Sequence, residues 1–186
     1  MSEEKKASIK AEVFSWVKVI VSAIIIALLV DFFIIANAVV PTGSMETTIP
    51  AGSRIMGLRL YYDFKEPERG DIVIFYAPDE VEELYIKRVI GLPGDKVVID
   101  NAQIYINDSK VPLEEPYLRE AWVINNGYYE FNVPQNCYLM LGDNRNSSID
   151  SRVWENTYVN RNAIIAKAKC VYFPFNHIKS LDDEIR

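Results

Sequence analysis

The sequence predicts a mainly β protein in which one N-terminal transmembrane helix precedes a β-sheet domain with a small β/loop insertion. Two observations support this prediction. One apolar run near the N-terminus is long enough to cross a bilayer, which takes about 20 residues. Beyond it, short stretches rich in Val, Ile and Tyr alternate with turn residues, as is typical of antiparallel β domains.

Composition limits the class of protein further. The chain has 186 residues, 49% of them hydrophobic, and a formal net charge of −6. This length is typical of one globular domain, and the apolar content argues against a disordered chain. Because the basic residues form no stripe, we do not expect a nucleic acid as partner.

The apolar run covers residues 14–40, and its only charges are Lys18 and Asp31. A buried core helix or a cleaved secretion signal is the alternative, but the run exceeds the about 7 to 15 apolar residues of such a signal. The lysines that precede or open the run are Lys5, Lys6, Lys10 and Lys18. Lysines on that side predict a cytoplasmic N-terminus. We therefore expect a cytoplasmic tail over 1–13, a transmembrane anchor over 14–40 and an extracytoplasmic domain over 41–186, in a cell membrane crossed once.

The β domain is predicted from short runs of strand-forming residues, separated by turn material such as Pro93-Gly94-Asp95 and Asp100-Asn101. The runs are RIMGLRLYY (54–62), DIVIFYA (71–77), LYIKRVIGL (84–92), KVVID (96–100), QIYIND (103–108), CYLMLG (137–142) and AIIAKAKCVYF (163–173). No helical period competes beyond residue 41. Residues 117–136 are less regular and predict a loop or a small subdomain, so we place an inserted subdomain at about 96–141.

A serine segment, PTGSMETTIP, directly follows the apolar run at residues 41–50. Its residue types favour turns, and a turn after a helix is the ordinary interpretation. If Ser44 is instead a nucleophile, it needs a proton acceptor. The single histidine, His177, has no orienting acid in an evident motif, so a lysine held neutral is the remaining solution.

Lys87, in the run LYIKRVIGL, is the best candidate for that base. Strand alternation puts Tyr85, Lys87 and Val89 on one face. A lysine has an ordinary pKa near 10.4, and burial among apolar side chains lowers it. The alternative is a lysine on a solvated face of the sheet.

A polar segment, GDNRNSSIDSR, occupies residues 142–152 after an apolar strand. It can be interpreted as a loop of Asx turns. It also supplies what a neutral lysine needs, namely a hydroxyl such as Ser148 to orient the amine, and an Asp150-Arg152 pair to hold the loop rigid.

Metal or cofactor chemistry has no candidate in the sequence. Cys137 and Cys170 show no CxxC spacing, and no other ligand set recurs at regular intervals. The two cysteines can pair outside the cytoplasm or remain small buried thiols, and both interpretations stay open.

Taken together and in this order, four segments resemble bacterial type I signal peptidases, in particular the compact single-span members typical of Gram-positive bacteria. They are PTGSMETTIP, the strand RGDIVIF (69–75), the lysine segment KRVIGLPGD (87–95) and GDNRNSSIDSR, and they cover residues 41–152. The resemblance implies a β-sheet catalytic domain with a Ser-Lys dyad, in which Ser44 is the nucleophile and Lys87 the general base.

The resemblance also implies roles for other residues. Thr42 would donate to the oxyanion beside the Ser44 amide, although the family varies at this position. The residues with implied supporting roles are Gly43, Arg88, Asp143, Arg145, Ser148, Asp150 and Arg152. Thr47 stands where members commonly have proline, which implies a less rigid turn.

The implied activity is that of a membrane-anchored serine endopeptidase, which removes signal peptides from secreted preproteins after an A-x-A-like site through an acyl-enzyme. The implied partners are preproteins, the lipid bilayer and the secretion machinery, with no cofactor. Met45, Ile49 and Met56 are candidates for an apolar rim that touches lipid, or for ordinary core packing.

Three other classes of protein share some of these features. A soluble Ser-Lys autoprotease of the repressor-cleaving kind shares the dyad but has no anchor. A tethered β domain that binds peptides without cutting them would not need both Ser44 and Lys87. Another anchored serine hydrolase would need a GxSxG elbow, which the sequence lacks.

Overall fold

The computed structural model describes residues 3–46, 48–80, 82–118, 120–123 and 127–182, with the backbone alone for residues 3–11. Thr47, and with it the predicted effect on the turn, lies outside the described residues. The chain divides into two compact units, Met1–Ile35 and Ala36–Arg186. The predicted fold class is confirmed, because one N-terminal helix is followed by antiparallel strands.

The first unit is a long helix, α1, over Glu3–Phe33. Its segment Glu12–Phe33 has 22 residues, a mean hydropathy of 2.6 and no buried fraction, so length and composition suffice for crossing a bilayer. The apolar run predicted as one span, 14–40, is divided in the structure: the helix ends at Phe33 and a strand, β1, occupies Ile35–Val39.

The second unit is built from strands and short helical turns. In chain order they are β1 (Ile35–Val39), a 3₁₀ turn (Gly43–Met45), β2 (Arg54–Leu58), α2 (Tyr61–Phe64), β3 (Ile72–Tyr76), β4 (Leu84–Gly91), β5 (Lys96–Asp100), β6 (Gln103–Ile106), β7 (Tyr129–Asn132), β8 (Cys137–Leu141), β9 (Val159–Asn160), a 3₁₀ turn (Arg161–Ala163), β10 (Ile164–Phe173), a 3₁₀ turn (Phe175–His177) and β11 (Lys179–Ser180).

The main sheet has the order β1-β2-β10-β3-β4-β8-β9, with β11 also paired to β10. β3 lies in its interior and is apolar throughout, with four of its five residues buried, as expected for a strand covered on both faces. Its even-numbered residues, such as Ile74, pack in one core cluster, and its odd-numbered residues, such as Phe75, pack in another. The register of β4 against β3 pairs Lys87 with Val73, which puts Lys87 in the middle of this sheet.

The second sheet is small and has the order β6-β5-β7. β5 and β6 join through Asn101 and Ala102, both with positive φ, as in a two-residue hairpin turn. β7 falls within the irregular stretch 117–136 and pairs with β5, whereas β8 (137–141) pairs with β4 in the main sheet. The apolar faces of the two sheets share one core cluster, which includes Val97 and Leu139.

One prediction of local structure was wrong. The run 54–62 was predicted as a strand without any competing helix, but the strand ends at Leu58 and Tyr61–Phe64 form a helix of one turn. The Tyr62 ring is buried there, and its hydroxyl donates a hydrogen bond to Asp71 at 2.9 Å. A helix of one turn is too short to show a period in sequence, so only this tertiary contact reveals it.

Candidate active site

Ser44 lies on the 3₁₀ turn Gly43–Met45, which emerges from β1. The turn is anchored by apolar side chains on its far side, since Met45 and Ile49 are both fully buried in the core. Of the two interpretations of these residues, core packing therefore applies and a lipid-facing rim does not, while Met56 is half-buried. Ser44 itself keeps 8% of its surface accessible.

Lys87 reaches Ser44 from β4, which is separated from β1 by three strands of the main sheet. Its Nζ lies 2.5 Å from Ser44 Oγ, although the residues are 43 positions apart in the chain. Thr42 Oγ1 donates to the same Ser44 oxygen at 3.3 Å. One hydroxyl and one amine thus converge on the Ser44 side chain.

Burial changes the acid-base character of Lys87, which is only 4% exposed. Desolvation is the largest influence and lowers the pKa of Lys87 from its ordinary 10.5 to about 8. The carboxylates of Asp150 and Asp143 raise the pKa of Lys87 but do not offset this effect, and the charge of Arg152 lowers the pKa as well. A pKa near 8 leaves about a tenth of the Lys87 side chains neutral at pH 7, several hundred times more than the ordinary pKa allows. The amine can therefore accept a proton from the hydroxyl that it touches.

The polar loop 142–152 is held by two bidentate ion pairs. Arg88 Nε and Nη2 bind the two carboxylate oxygens of Asp143 at 2.8 and 2.7 Å, in full burial. Arg152 binds both oxygens of Asp150 at 2.8 Å, and Asp150 also accepts from the Gly142 amide at 3.0 Å. Because planar pairs of this kind fix geometry as well as charge, they make the loop rigid.

A third ion pair ties the loop to the segment between β6 and β7. Arg145, which is 4% exposed, donates to Glu115 at 2.9 and 2.5 Å. Burial lowers the pKa of Arg145, but the Glu115 carboxylate more than offsets this, so the pKa is raised and the side chain stays charged. The loop is therefore bound on two sides, by Arg88 of β4 and by Glu115.

A cavity of about 530 Å³ opens beside Ser44 and Lys87. It is lined by Val39, Val40, Pro41, Thr42, Gly43, Ser44, Glu83, Leu84, Tyr85, Ile86, Lys87, Asn146, Ser147, Ser148 and Ile149. Most of this wall is apolar or small, and the reactive pair lies within it.

The predicted site residues are distributed over two layers. Ser44, Lys87, Thr42, Gly43 and Ser148 line the cavity. The remaining ones, Arg88, Asp143, Arg145, Asp150 and Arg152, form the ion pairs behind it. Ser148 Oγ is buried and has no hydrogen-bond partner among the described residues, so its predicted bond to Lys87 stays a prediction.

Several contacts were not predicted from sequence. Thr48 Oγ1 donates to Asp143 at 2.5 Å in full burial, which ties the end of the serine segment to the polar loop. The Tyr117 ring faces the Arg88 guanidinium at 3.7 Å from its centroid. Thr48 belongs to a segment that was already singled out, but the region around Glu115 and Tyr117 carries no motif that could have indicated these contacts.

In the described part of the chain, no group of three or more His, Cys, Asp or Glu side chains is placed so that it could hold a metal ion. Cys137 and Cys170 are both free thiols in the structure.

Comparisons with known proteins are consistent with this site. The family model "Signal peptidase, peptidase S26" matches residues 13–173. Signal peptidase I of Bacillus amyloliquefaciens is 38% identical, over 96% of this chain and 97% of the relative. Signal peptidase I of Bacillus licheniformis is 36% identical, over 98% and 100%. Signal peptidase I S of Bacillus subtilis (strain 168) is 36% identical, over 95% and 98%.

Proposed function

Since the chain belongs to the signal peptidase family, peptidase S26, and is a serine endopeptidase, we propose that it removes N-terminal signal peptides from secreted preproteins with a Ser44-Lys87 dyad. The observation that carries this proposal is the contact of 2.5 Å between Lys87 Nζ and Ser44 Oγ. Both atoms lie at the wall of the cavity, where an extended peptide can reach them.

The reaction begins when Lys87, in its neutral form, takes the proton of the Ser44 hydroxyl. Ser44 Oγ then attacks the scissile carbonyl carbon, and the negative oxygen that develops accepts hydrogen bonds from the Ser44 amide and the Thr42 hydroxyl. Each such donor is worth about 2.7 to 4 kcal/mol. Burial of Lys87 is what makes this first step accessible at neutral pH.

The tetrahedral intermediate collapses when the protonated Lys87 gives its proton to the leaving amine. The N-terminus of the mature protein departs, and the signal peptide remains esterified to Ser44. Lys87, again neutral, takes a proton from a water molecule as its oxygen attacks the ester carbon. When this second intermediate collapses, Lys87 returns the proton to Ser44 Oγ and the peptide acid is released. Ser148, beside the pair in the cavity wall, is proposed to orient the amine between these steps.

The substrate is proposed to bind as an extended strand. Among the described residues, β8 pairs with β4 from Arg88 onward, while the preceding residues Leu84–Lys87 border the cavity. A peptide added at this edge would gain main-chain hydrogen bonds, and its alternate side chains would face the cavity. The wall formed by Val40, Ile86 and neighbouring residues suits small apolar side chains, as in an A-x-A site.

We propose a topology that brings this site to the membrane. The apolar helix segment from residue 14 to Phe33 would anchor the chain, with residues 1–13 in the cytoplasm and the β domain outside. An active site on the extracytoplasmic side of the membrane can cut a signal peptide only after the preprotein has been translocated. The lipid bilayer and the secretion machinery are then the expected surroundings of the enzyme.

The test is cleavage of an A-x-A preprotein by the full chain in detergent, compared among wild type, Ser44→Ala and Lys87→Ala. Matched controls are Ser109→Ala and Lys96→Ala, because both residues lie on the surface of the second sheet and its turn. We expect cleavage to fall to background in the first two variants only. Binding of the uncut preprotein by the wild type would instead support a tethered peptide-binding domain.

A further inference from the structure

Two peptide groups flank the proposed nucleophile, and one residue of the polar loop contacts the carbonyl oxygen of each. Asn144 Nδ2 donates to the carbonyl oxygen of Gly43 at 3.0 Å, and the backbone N–H of Asn144 donates to the carbonyl oxygen of Ser44 at 3.0 Å. Because a carbonyl oxygen only accepts, the nitrogen of the Asn144 side chain must be the atom that faces Gly43. Asn144 therefore holds the chain on both sides of Ser44.

Resting on the function proposed above, we propose that Asn144 is a positioning residue for the oxyanion site. The peptide unit between Gly43 and Ser44 is planar and trans, so its carbonyl and its N–H point in opposite directions. Asn144 binds the carbonyl end, and the other end is the Ser44 N–H that is proposed to stabilise the oxyanion. Fixing one end fixes the direction of the other.

The same contact also strengthens the donor. The Gly43 oxygen accepts from Asn144 Nδ2 and from the Glu46 amide at 3.1 Å, so this peptide unit has two donors at its carbonyl. Hydrogen bonds in a chain polarise one another, and an N–H whose carbonyl accepts bonds is a better donor. A positioned, polarised N–H is what electrostatic stabilisation of an oxyanion requires.

Asn144 can act in this way because its neighbours are immobile. Arg88 binds Asp143 in full burial, and Arg145, itself buried, binds the partly exposed Glu115. The loop also approaches Ser44 very closely, since a Cβ built on Gly142 would lie 2.5 Å from the Ser44 oxygen. The ion pairs thus fix the position of Asn144, and Asn144 in turn fixes the chain around Ser44 through its side chain and its backbone N–H.

The test uses the full chain in detergent and the variants Asn144→Asp and Asn144→Ala. Aspartate keeps the shape of asparagine but cannot donate to Gly43 when ionised. The matched control is Asn160→Ala, which removes the side-chain cap of the remote 3₁₀ turn Arg161–Ala163. For each protein we would measure kcat, KM and the midpoint of urea unfolding, with Ser44→Ala assayed in parallel.

A second readout separates positioning from general damage. The probe is a peptide aldehyde with the sequence of the signal peptide up to the cleavage site. Ser44 Oγ bonds to the aldehyde carbon, and the proton of the serine hydroxyl is transferred to the former aldehyde oxygen, which becomes the hydroxyl of a hemiacetal. That oxygen occupies the oxyanion site, as in the transition state. The corresponding peptide carboxamide binds the same cavity but forms no such bond.

We expect Asn144→Asp to lower kcat by about 10- to 100-fold, less than or similar to the loss of a direct donor, with KM within about threefold. Aldehyde affinity should fall by a similar factor and carboxamide affinity should not change. The proposal is overturned if kcat of the folded variants stays within twofold of wild type, if both ligands weaken equally, or if neither variant folds. Undiminished cleavage by Ser44→Ala would instead refute the proposed function itself.

Discussion

Replacing Lys87 by methionine should abolish cleavage and yet stabilise the protein. The Lys87 ammonium is 4% exposed, and burial lowers its pKa from 10.5 to about 8. Each pKa unit corresponds to 1.36 kcal/mol, so keeping Lys87 protonated in the folded protein costs about 3 kcal/mol at pH 7. Methionine has a similar length and no charge, so Lys87→Met removes this cost.

The gain in stability should depend on pH in a defined direction. The folded pKa of Lys87 lies below its unfolded value, so the unfolded state binds more protons between pH 8 and pH 10.5. The cost is complete below pH 8 and disappears as the pH rises to 10.5. The advantage of Lys87→Met should therefore be largest at neutral pH and vanish near pH 10.5.

A second buried lysine provides the matched control. Lys167 is 7% exposed and binds Asp71 at 2.5 Å. Burial lowers the pKa of Lys167, but the hydrogen bond and charge of Asp71 more than offset it, so the pKa is raised. This favourable pair is fully present at neutral pH. Lys167→Met leaves the buried Asp71 carboxylate without its counter-charge and should destabilise the protein by about 3 to 5 kcal/mol.

The assay is urea unfolding of the full chain in detergent, followed by tryptophan fluorescence at several values of pH. Trp122 and Trp154 belong to the β domain and report its unfolding. A Lys87→Met protein that is less stable than wild type at pH 7, or whose advantage does not change between pH 8 and pH 10, would refute the reasoning. Burial would then not be the dominant influence on this amine.

Three further predictions concern the surroundings of the dyad. Gly142→Ala should lower kcat at least about tenfold, because the new Cβ would lie 2.1 Å from Ser148 Oγ and displace the loop. An unchanged kcat would show that the loop can shift without disturbing the dyad. Thr42→Val should lower kcat about 10- to 100-fold with KM unchanged, and an equal rise in KM would argue against an oxyanion role. Glu115→Gln should lower the free energy of unfolding by about 3 to 5 kcal/mol, since it leaves Arg145 buried without its counter-charge; a loss under about 1 kcal/mol in urea unfolding would contradict this.

Local patterns in the sequence predicted the helix and most strands of the two sheets. The apolar run predicted the helix, and runs of strand-forming residues such as 71–77 and 84–92 predicted β3 and β4 to within one residue at each end. Shorter elements escaped prediction: β9 and β11 have two residues each, and α2 has four. Elements of two to four residues are too short to show a period in the sequence. They form because neighbouring parts of the fold provide their hydrogen bonds and packing contacts.

The serine, lysine and polar-loop segments could be recognised in the sequence because each is continuous. Their chemistry could not be read in the same way. That Lys87 touches Ser44 depends on the register of β4, and the lowered pKa of Lys87 depends on how completely the surrounding core excludes water. Neither quantity is a property of a segment by itself.

The sequence alone determined the class of the fold, the apolar helix and the residue types available for catalysis, since these follow from local composition and spacing. Only the tertiary structure decided which groups meet: Glu115 with Arg145, Thr48 with Asp143, and the Asn144 side chain with the Gly43 carbonyl. Such contacts join residues 30, 95 and 101 positions apart. Their geometry is set by the packing of whole sheets and loops, because no short segment contains both partners.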